Sequence, residues 1–205
     1  MTNRRAKPKY KICRQMGENL WGREKCPTVN KPYGPGQHGN RPSRPSVYGE
    51  QLREKQKLRG YYGNISESQF KRTFQEASRR GGNTSENLIQ LLESRLDAMV
   101  YRLNFVPTVF AARQLVNHKH VTVNGTVVNI PSYRCKPGDE IEVREKSQKI
   151  PLVIESTDKM DRDLPEYLSF EKGKFRGVFK RVPQYDEVPY PVQMNPNMVV
   201  EFYSR

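Results

Sequence analysis

Arg113, Gln114, His118, Lys119 and His120 crowd into one short stretch, and Asn124 follows a few residues later. Arginine offers a planar fork that suits phosphate, and amides and imidazoles suit sugar and base edges. The same spacing also fits ordinary solvated charge, so taken alone it leaves both readings open. Catalytic readings are poorly supported. His118 and His120 lie two apart with no serine or cysteine nucleophile motif, so no triad is drawn. No glycine-rich phosphate loop of the usual spacing occurs. Cys13, Cys26 and Cys135 make no disulfide framework, which fits a reducing, cytosol-like compartment. Cys13 and Cys26 cannot by themselves close a tetrahedral metal site, which needs four ligands. His38 could add a third, which is still one ligand short. The expectation is no metal and no cofactor, and Cys135 reads as a small buried residue.

The charge balance favours an anionic polymer as partner. The 205 residues carry 36 Lys plus Arg against 22 Asp plus Glu, a net +14. Residues 1–60 hold 15 basic and 4 acidic side chains, so nearly all the excess lies in the first third. Trp21, Tyr33 and Tyr48 are interleaved with that charge, which a freely solvated tail would not need. Apolar content is 35%, below the roughly 45–50% (glycine included) of globular domains, so not every segment belongs to a core. No apolar run approaches the roughly 20 residues of a membrane helix. The basic N-terminus lacks the apolar stretch of a secretory signal.

These groups need elements to hold them. Residues 1–45 show neither helical nor strand period and are rich in proline and glycine, so they read as an extended arm that orders on its partner. Val47 to Arg59 reads as a short basic helix along Leu52, Lys55 and Leu58. Ser66-Glu-Ser-Gln69 has capping-box spacing ahead of Phe70, Phe74 and Ala77, and Gly81-Gly82 ends that helix. From Asn83, apolar residues recur at helical spacing through Leu88, Leu92, Leu96, Met99 and Leu103, predicting one continuous helix. Thr108 caps the next, with Ala111, Ala112, Leu115 and Val116 as its apolar face.

The period then changes to two. Val121 and Val123 lead to Asn124-Gly125, a strong hairpin signal, with Val127 beyond. Pro137-Gly138-Asp139 turns into a strand through Ile141 and Val143. Pro151 to Ile154 and Phe175 to Arg181 read as further strands, while 156–175 is mixed and acidic. Val188-Pro-Tyr-Pro-Val192 cannot be a central strand. Val199 to Tyr203 reads as a closing strand or short helix. The predicted class is α+β.

Ser94-Arg-Leu-Asp97, Ala111-Ala-Arg-Gln-Leu-Val116 and Val121-Thr-Val-Asn-Gly125 resemble the small RNA-binding module named after small-subunit ribosomal protein number four. Pro35-Gly-Gln-His-Gly39, Gln51-Leu-Arg-Glu-Lys-Gln-Lys57, Gly82-Asn-Thr-Ser-Glu-Asn-Leu88 and Val199-Val-Glu-Phe-Tyr203 extend the likeness to that protein's family, in its bacterial type, over essentially the full chain. The resemblance implies three parts. They are a basic rRNA-binding arm (1–45), a helical domain (46–93) joined by the C-terminal tail (182–205), and the module with its following strands (94–181, core 94–155). It implies rRNA contacts at Gln37, His38, Arg41, Arg44, Arg53, Lys55, Lys57, Arg95, Arg113, Gln114, His118, Lys119, His120 and Asn124. It implies early binding to the 5′ domain of 16S-type rRNA at a multi-helix junction, nucleating assembly of the subunit body. A contact with small-subunit protein number five would influence translational accuracy, and mRNA near where it enters is a further partner. A cytoplasmic, ribosome-bound location follows, with a bacterial-like organelle left open, and neither membrane nor small-molecule substrate is expected.

Some members of the family hold zinc with four N-terminal cysteines, where this chain keeps two. Arg95-Leu96-Asp97 superficially resembles the catalytic Arg-Leu-Asp of some pseudouridine synthases that carry the same module. Leu96, however, belongs to an apolar stripe, and no separate catalytic domain follows. Asp97 is expected to be a helix-surface charge or an ion-pair partner. The rival reading is a stand-alone RNA-modifying or quality-control protein, against which the basic, proline-rich N-terminal third argues.

Overall fold

The computed structural model describes residues 10–40 and 44–204. In chain order its helices and strands are α1 (Lys11–Met16), α2 (Val47–Tyr61), α3 (Glu67–Arg79), α4 (Thr84–Glu93), α5 (Leu96–Arg102), α6 (Val109–Asn117), β1 (Val121–Val123), β2 (Thr126–Val127), β3 (Glu140–Val143), α7 (Glu145–Gln148), α8 (Pro151–Lys159), β4 (Leu168–Glu171), β5 (Arg176–Phe179) and α9 (Pro196–Tyr203). The class is α+β. Two compact units form, Met1–Ser66 with Tyr190–Arg205, and Glu67–Pro189.

In the first unit, residues 10–40 are not an extended arm. Helix α1 buries Ile12, Cys13 and Met16, and Leu20, Trp21 and Cys26 are buried beyond it. Proline and glycine hide this from periodicity, because so short a helix is stabilised by packing rather than by its own repeat. Trp21 Nε1 donates to the Tyr61 carbonyl at 3.1 Å. A Cβ at Gly60 would lie 2.1 Å from Ile12 Cδ1, so glycine is what lets α1 approach α2. Ser46 caps α2, its hydroxyl accepting from Gly49 N at 3.2 Å. Helix α9 returns onto α2, where Gln51 Nε2 donates to Glu201 Oε2 at 2.8 Å. The segment read as strand or helix is therefore helix, started by Pro196 in its first turn.

The second unit joins α3 and α4 to the module. Phe70, Phe74 and Ala77 are buried on α3, and Asn83 caps α4 through Ser85 N at 3.0 Å. The continuous helix expected from Asn83 to Leu103 is broken at Ser94–Arg95. Ser94 Oγ turns back to the Gln90 carbonyl at 2.6 Å, a bond that competes with helical continuation. Arg95 is extended (φ −69°, ψ 141°) and bridges antiparallel to Arg134. The amides of Leu96 and Asp97 donate to the carbonyls of Tyr133 and Pro131.

The sheet runs β2-β1-β3-β5-β4, antiparallel throughout. Val121 faces Val143, and Val123 faces Ile141. These four side chains are buried with Met99, Val100, Leu103, Ala112, Val116, Tyr167 and Phe179 in one core. A Cβ at Gly177 would strike Leu103 Cδ2 at 2.3 Å, so the end of α5 rests directly on the sheet there.

Two further expectations change. Pro151 to Ile154 opens helix α8 rather than a strand, with proline in the first turn and Ser156 Oγ donating to the Asn104 carbonyl at 2.8 Å. Residues 168–171, read as mixed, form the edge strand β4. The boundaries also move. The stretch 46–93 divides between the units after Ser66, and of the tail 182–205 only the part from Tyr190 joins α2.

Candidate nucleic-acid interface

The α6 end of the module gathers most of the polar residues singled out in the sequence. Thr108 starts α6 by accepting the Ala111 amide at 3.0 Å. Ala112, Leu115 and Val116 go to the core, which leaves Arg113, Gln114 and Asn117 on the outer side. The helix closes when His120 N bonds the Leu115 carbonyl at 3.1 Å and Lys119 N the Val116 carbonyl at 2.9 Å. Lys119 sits there with φ +63°, a left-handed conformation that disfavours side chains with a Cβ. Gln114, His118 and Lys119 are exposed. His120 is half-buried, its Nδ1 2.8 Å from Ser147 Oγ.

Arg144 belongs to this cluster and escaped the sequence reading. Its amide bonds the His120 carbonyl at 3.0 Å, and its Nη1 donates to the Lys119 carbonyl at 3.0 Å. The signal was the antiparallel pairing of Val121 with Val143, which sets residue 144 beside residue 120. That pairing is readable only once β1 and β3 are matched.

Arg95, by contrast, is buried. It forks onto Asp97, Nε to Oδ1 at 2.9 Å and Nη2 to Oδ2 at 2.7 Å. Asp97 is therefore an ion-pair partner and not a surface charge. Arg113 Nε lies 4.0 Å from the same Oδ2. Burial draws the Arg113 guanidinium below its usual range, Asp97 opposes that shift, and Arg95 adds to it. Arginine still keeps its charge under these conditions. Arg113 thus stands at the surface side of a buried pair, with its guanidinium anchored by a carboxylate behind it.

Asn124 and Gly125 form the hairpin tip at φ +50° and +76°, as a primed two-residue turn requires. The Asn124 side chain is already occupied, donating to Asp139 Oδ1 and accepting from Glu140 N, both at 2.9 Å. Its position ties the hairpin to the next turn.

In the first unit the Pro35-Gly-Gln-His-Gly39 stretch is a closed loop. Gly34 N bonds the Gly39 carbonyl at 3.1 Å, and Gly39 N bonds the Gly36 carbonyl at 3.3 Å. Arg14 holds its base through the carbonyls of Tyr33 and Gly34 at 3.2 and 3.1 Å. Gln37 and His38 project from it, exposed. Arg44 is exposed, and Arg41 lies outside the described residues. Arg53 is exposed but donates to the Met16 carbonyl at the end of α1.

Lys55 and Lys57 are not at the surface. Lys55 Nζ lies 4.4 Å from the Phe202 ring centre, and Lys57 Nζ is 2.8 Å from Glu18 Oε2. Return of α9 and the turn after α1 bury them, so their basic character serves the fold of this unit. Beside α1, Lys11, Arg14, Lys25 and Lys31 line a half-open cleft of about 600 Å³. Lys25 and Lys31 are exposed cations that nothing in the local sequence had singled out. Among the described residues no group of three or more His, Cys, Asp or Glu could hold a metal ion, and no helix is long and apolar enough to cross a membrane.

A helix pair backed by a small antiparallel sheet, with an exposed basic and amide-bearing edge, defines the class: an α+β protein carrying a compact RNA-binding module. Family comparison is more specific. Residues 4–93 match the ribosomal protein S4/S9 N-terminal domain, and residues 94–141 match the S4 domain. The chain is 63% identical to small ribosomal subunit protein uS4 of Maricaulis maris over 203 residues, covering 98% of this chain and 99% of that one. It is 63% identical to uS4 of Caulobacter vibrioides over the same shares. Against uS4 of Bartonella henselae it is 59% identical over 204 residues, covering 99% and 100%. The chain belongs to the uS4 family of small ribosomal subunit proteins, a structural and non-enzymatic family.

Proposed function

We propose that this chain is a structural constituent of the small ribosomal subunit that binds its rRNA directly. In this reading it docks early on a multi-helix junction of the 5′ domain and nucleates assembly of the subunit body. It then meets small-subunit protein number five, through which it influences translational accuracy, and lies near where mRNA enters. It works bound to the ribosome in the cytoplasm. The mechanism is phosphate neutralisation and shape recognition, with no bond made or broken in the RNA.

The observation that carries the reading is Lys119, exposed between His118 and Arg144 and kept at φ +63° where glycine would relax the chain. Strain of this kind is retained where the side chain has a use, and here the surrounding groups suit a phosphate backbone. Arg113, Gln114 and His118 extend the same edge. Gln37, His38, Arg44 and Arg53 would supply contacts from the first unit.

Binding of the purified chain to a transcript of the 5′ domain, beside an equally long transcript of another small-subunit domain, tests the reading. Preferential binding to the first, and stoichiometric co-sedimentation with small subunits in cell fractions, are expected. Equal affinity for both transcripts, or absence from the subunit fraction, would refute it. Cross-linking within assembled subunits tests the contact with protein number five.

A further inference from the structure

A groove of about 550 Å³ runs between α1 and α2, and the packing of the two helices gives it a direction. Ile12 sits over Gly60, where a Cβ would strike it, and the Met16 carbonyl accepts from Arg53. The helices are therefore antiparallel. Lys11 shares one end of the groove with Arg59, and Met16 shares the other with Gly49 and Leu52. Along each helix the lining residues recur at steps of three or four, Lys11 with Gln15 on α1, and Leu52, Gln56 and Arg59 on α2. Gly63 (φ +75°) and Asn64 (φ +55°) reverse the chain after α2. That turn carries Asn64 Oδ1 to 3.8 Å from where a Gly60 Cβ would lie, at the Arg59 end.

The lining falls into three kinds. Ile12 and Met16 are buried and Leu52 is half-buried, which gives an apolar stretch. Gln15, Gln56 and Asn64 contribute amides, and Lys11, Arg53 and Arg59 contribute cations. Among the described residues no carboxylate lines the groove, whereas Glu24 enters the cleft beyond Arg14. An amide both donates and accepts, as the edge of a nucleobase requires, while an acidic ligand would call for donors alone. Leu52 and Arg59 are about 10 Å apart along the helix axis at 1.5 Å per residue. A single nucleotide reaches over that length from its base to its phosphate.

We propose that this groove receives one unstacked nucleotide of the rRNA, an inference that rests on the rRNA-binding reading above. The base lies against Ile12, Met16 and Leu52, with its edge on the amides of Gln15 and Gln56. The phosphate lies at the Lys11 and Arg59 end, and Asn64 is placed there for the 2′-hydroxyl. Splayed bases of single-stranded RNA are read in this way, by their edges and faces together. The volume falls within the roughly 300–1,000 Å³ of built ligand pockets. The exposed edge of α6 offers charge and shape, and this groove adds a point where one base identity can be felt.

The test uses the full chain and the 5′-domain transcript. Gln15→Leu combined with Gln56→Leu leaves every charge in place. Affinity should fall on the order of 10-fold, as for the loss of one read base, with the slope of log affinity against log salt unchanged. Lys11→Gln should instead lower that slope by about 1. Ultraviolet cross-linking of the wild-type complex, read by mass spectrometry, should attach a nucleotide to the peptide holding Gln15 and Met16 or to that holding Leu52 and Gln56. This measurement stands even if the variants fold poorly. Full affinity or a reduced slope in the double leucine variant, or cross-links confined to other segments, would overturn the proposal. So would displacement of the transcript by excess AMP, which marks a free-nucleotide site, or by an oligo-aspartate peptide, which marks an acidic protein partner. A wild-type chain with no preference for the 5′-domain transcript would remove the rRNA reading and this proposal together. Preference kept in wild type and in the double leucine variant alike would remove only this one.

Discussion

The Arg102 guanidinium forks across the Glu93 carboxylate, Nε to Oε2 at 3.0 Å and Nη2 to Oε1 at 2.9 Å, with both side chains buried. Tyr167 OH donates to Glu93 Oε2 at 2.8 Å, and Arg102 Nη1 reaches the Pro189 carbonyl at 3.1 Å. The pair fastens α4 to α5 across the break at Ser94–Arg95. Removing one partner strands a buried charge, at a loss of about 3–5 kcal/mol. Arg102→Ala should lower unfolding stability by that order in urea titration. Tyr167→Phe should lose about 1–3 kcal/mol, the range for a buried acceptor deprived of a donor. A double variant with leucine at 93 and 102 should be less destabilised than Arg102→Ala. Equal or greater loss in the double variant would mean that the charge pair itself, rather than its completeness, stabilises the unit.

Lys119→Gly should move stability and binding in opposite directions. A left-handed residue with a Cβ costs about 1–2 kcal/mol, and glycine returns roughly 0.5–1 kcal/mol of that through unfolded-chain entropy. A net gain of up to about 1.5 kcal/mol is expected by thermal or urea unfolding. Loss of one phosphate-facing cation should weaken rRNA binding and reduce the slope of log affinity against log salt by about 1. A stabilised variant with full affinity and an unchanged slope would remove Lys119 from the interface.

The first unit offers a sharper comparison between exposed and buried lysines. Lys25→Gln with Lys31→Gln should reduce the salt slope by about 2 without loss of stability, since each phosphate contact contributes close to one counterion. Lys55→Met should leave the slope unchanged, because its ammonium lies over Phe202 and Tyr203. Filter binding at constant Mg²⁺ from 50 to 200 mM salt measures both. A fall in slope for Lys55→Met would mean that α9 leaves α2 on binding RNA.

Alkaline pH probes the module core. Burial pushes the Cys135 thiol from 9.0 up to about 12, with Asp139 and then Asp97 adding to the rise. The folded state holds this proton more tightly than the unfolded chain does. The stabilisation is thus complete below pH 9.0 and disappears as pH rises from 9.0 to about 12, at up to roughly 1.4 kcal/mol per pH unit. Cys135→Ala should be less stable than wild type at neutral pH, and the difference should narrow steadily above pH 9.0. Parallel stability profiles up to pH 11 would contradict a buried, protonated thiol.

What could be read from sequence was what neighbouring residues decide between themselves. The Thr108 cap, the Asn124-Gly125 turn and the alternation from Val121 to Val127 are local, and each is found in place. The fates of Lys55 and Lys57 were not local. Nothing near them announces that Phe202 and Glu18 will cover them. The break at Arg95 depends on a bridge to Arg134, so an unbroken apolar stripe concealed it. Pro151 to Ile154 suited either strand or helix by periodicity, since so short an apolar run fits both. The exposed edge of α6 was legible in composition, but Arg144 joined it only through strand register.

The two matched families meet between residues 93 and 94, while Glu93 and Arg102 hold hands across that seam. Descent has therefore drawn its border through a point that physics does not respect. A graft of the module beginning at Ser94 would carry Arg102 into its new host without its counter-ion. A graft beginning at Glu67 would take α3, α4 and the complete pair along. For anyone recombining such modules, the transplantable piece is the compact unit and not the inherited one.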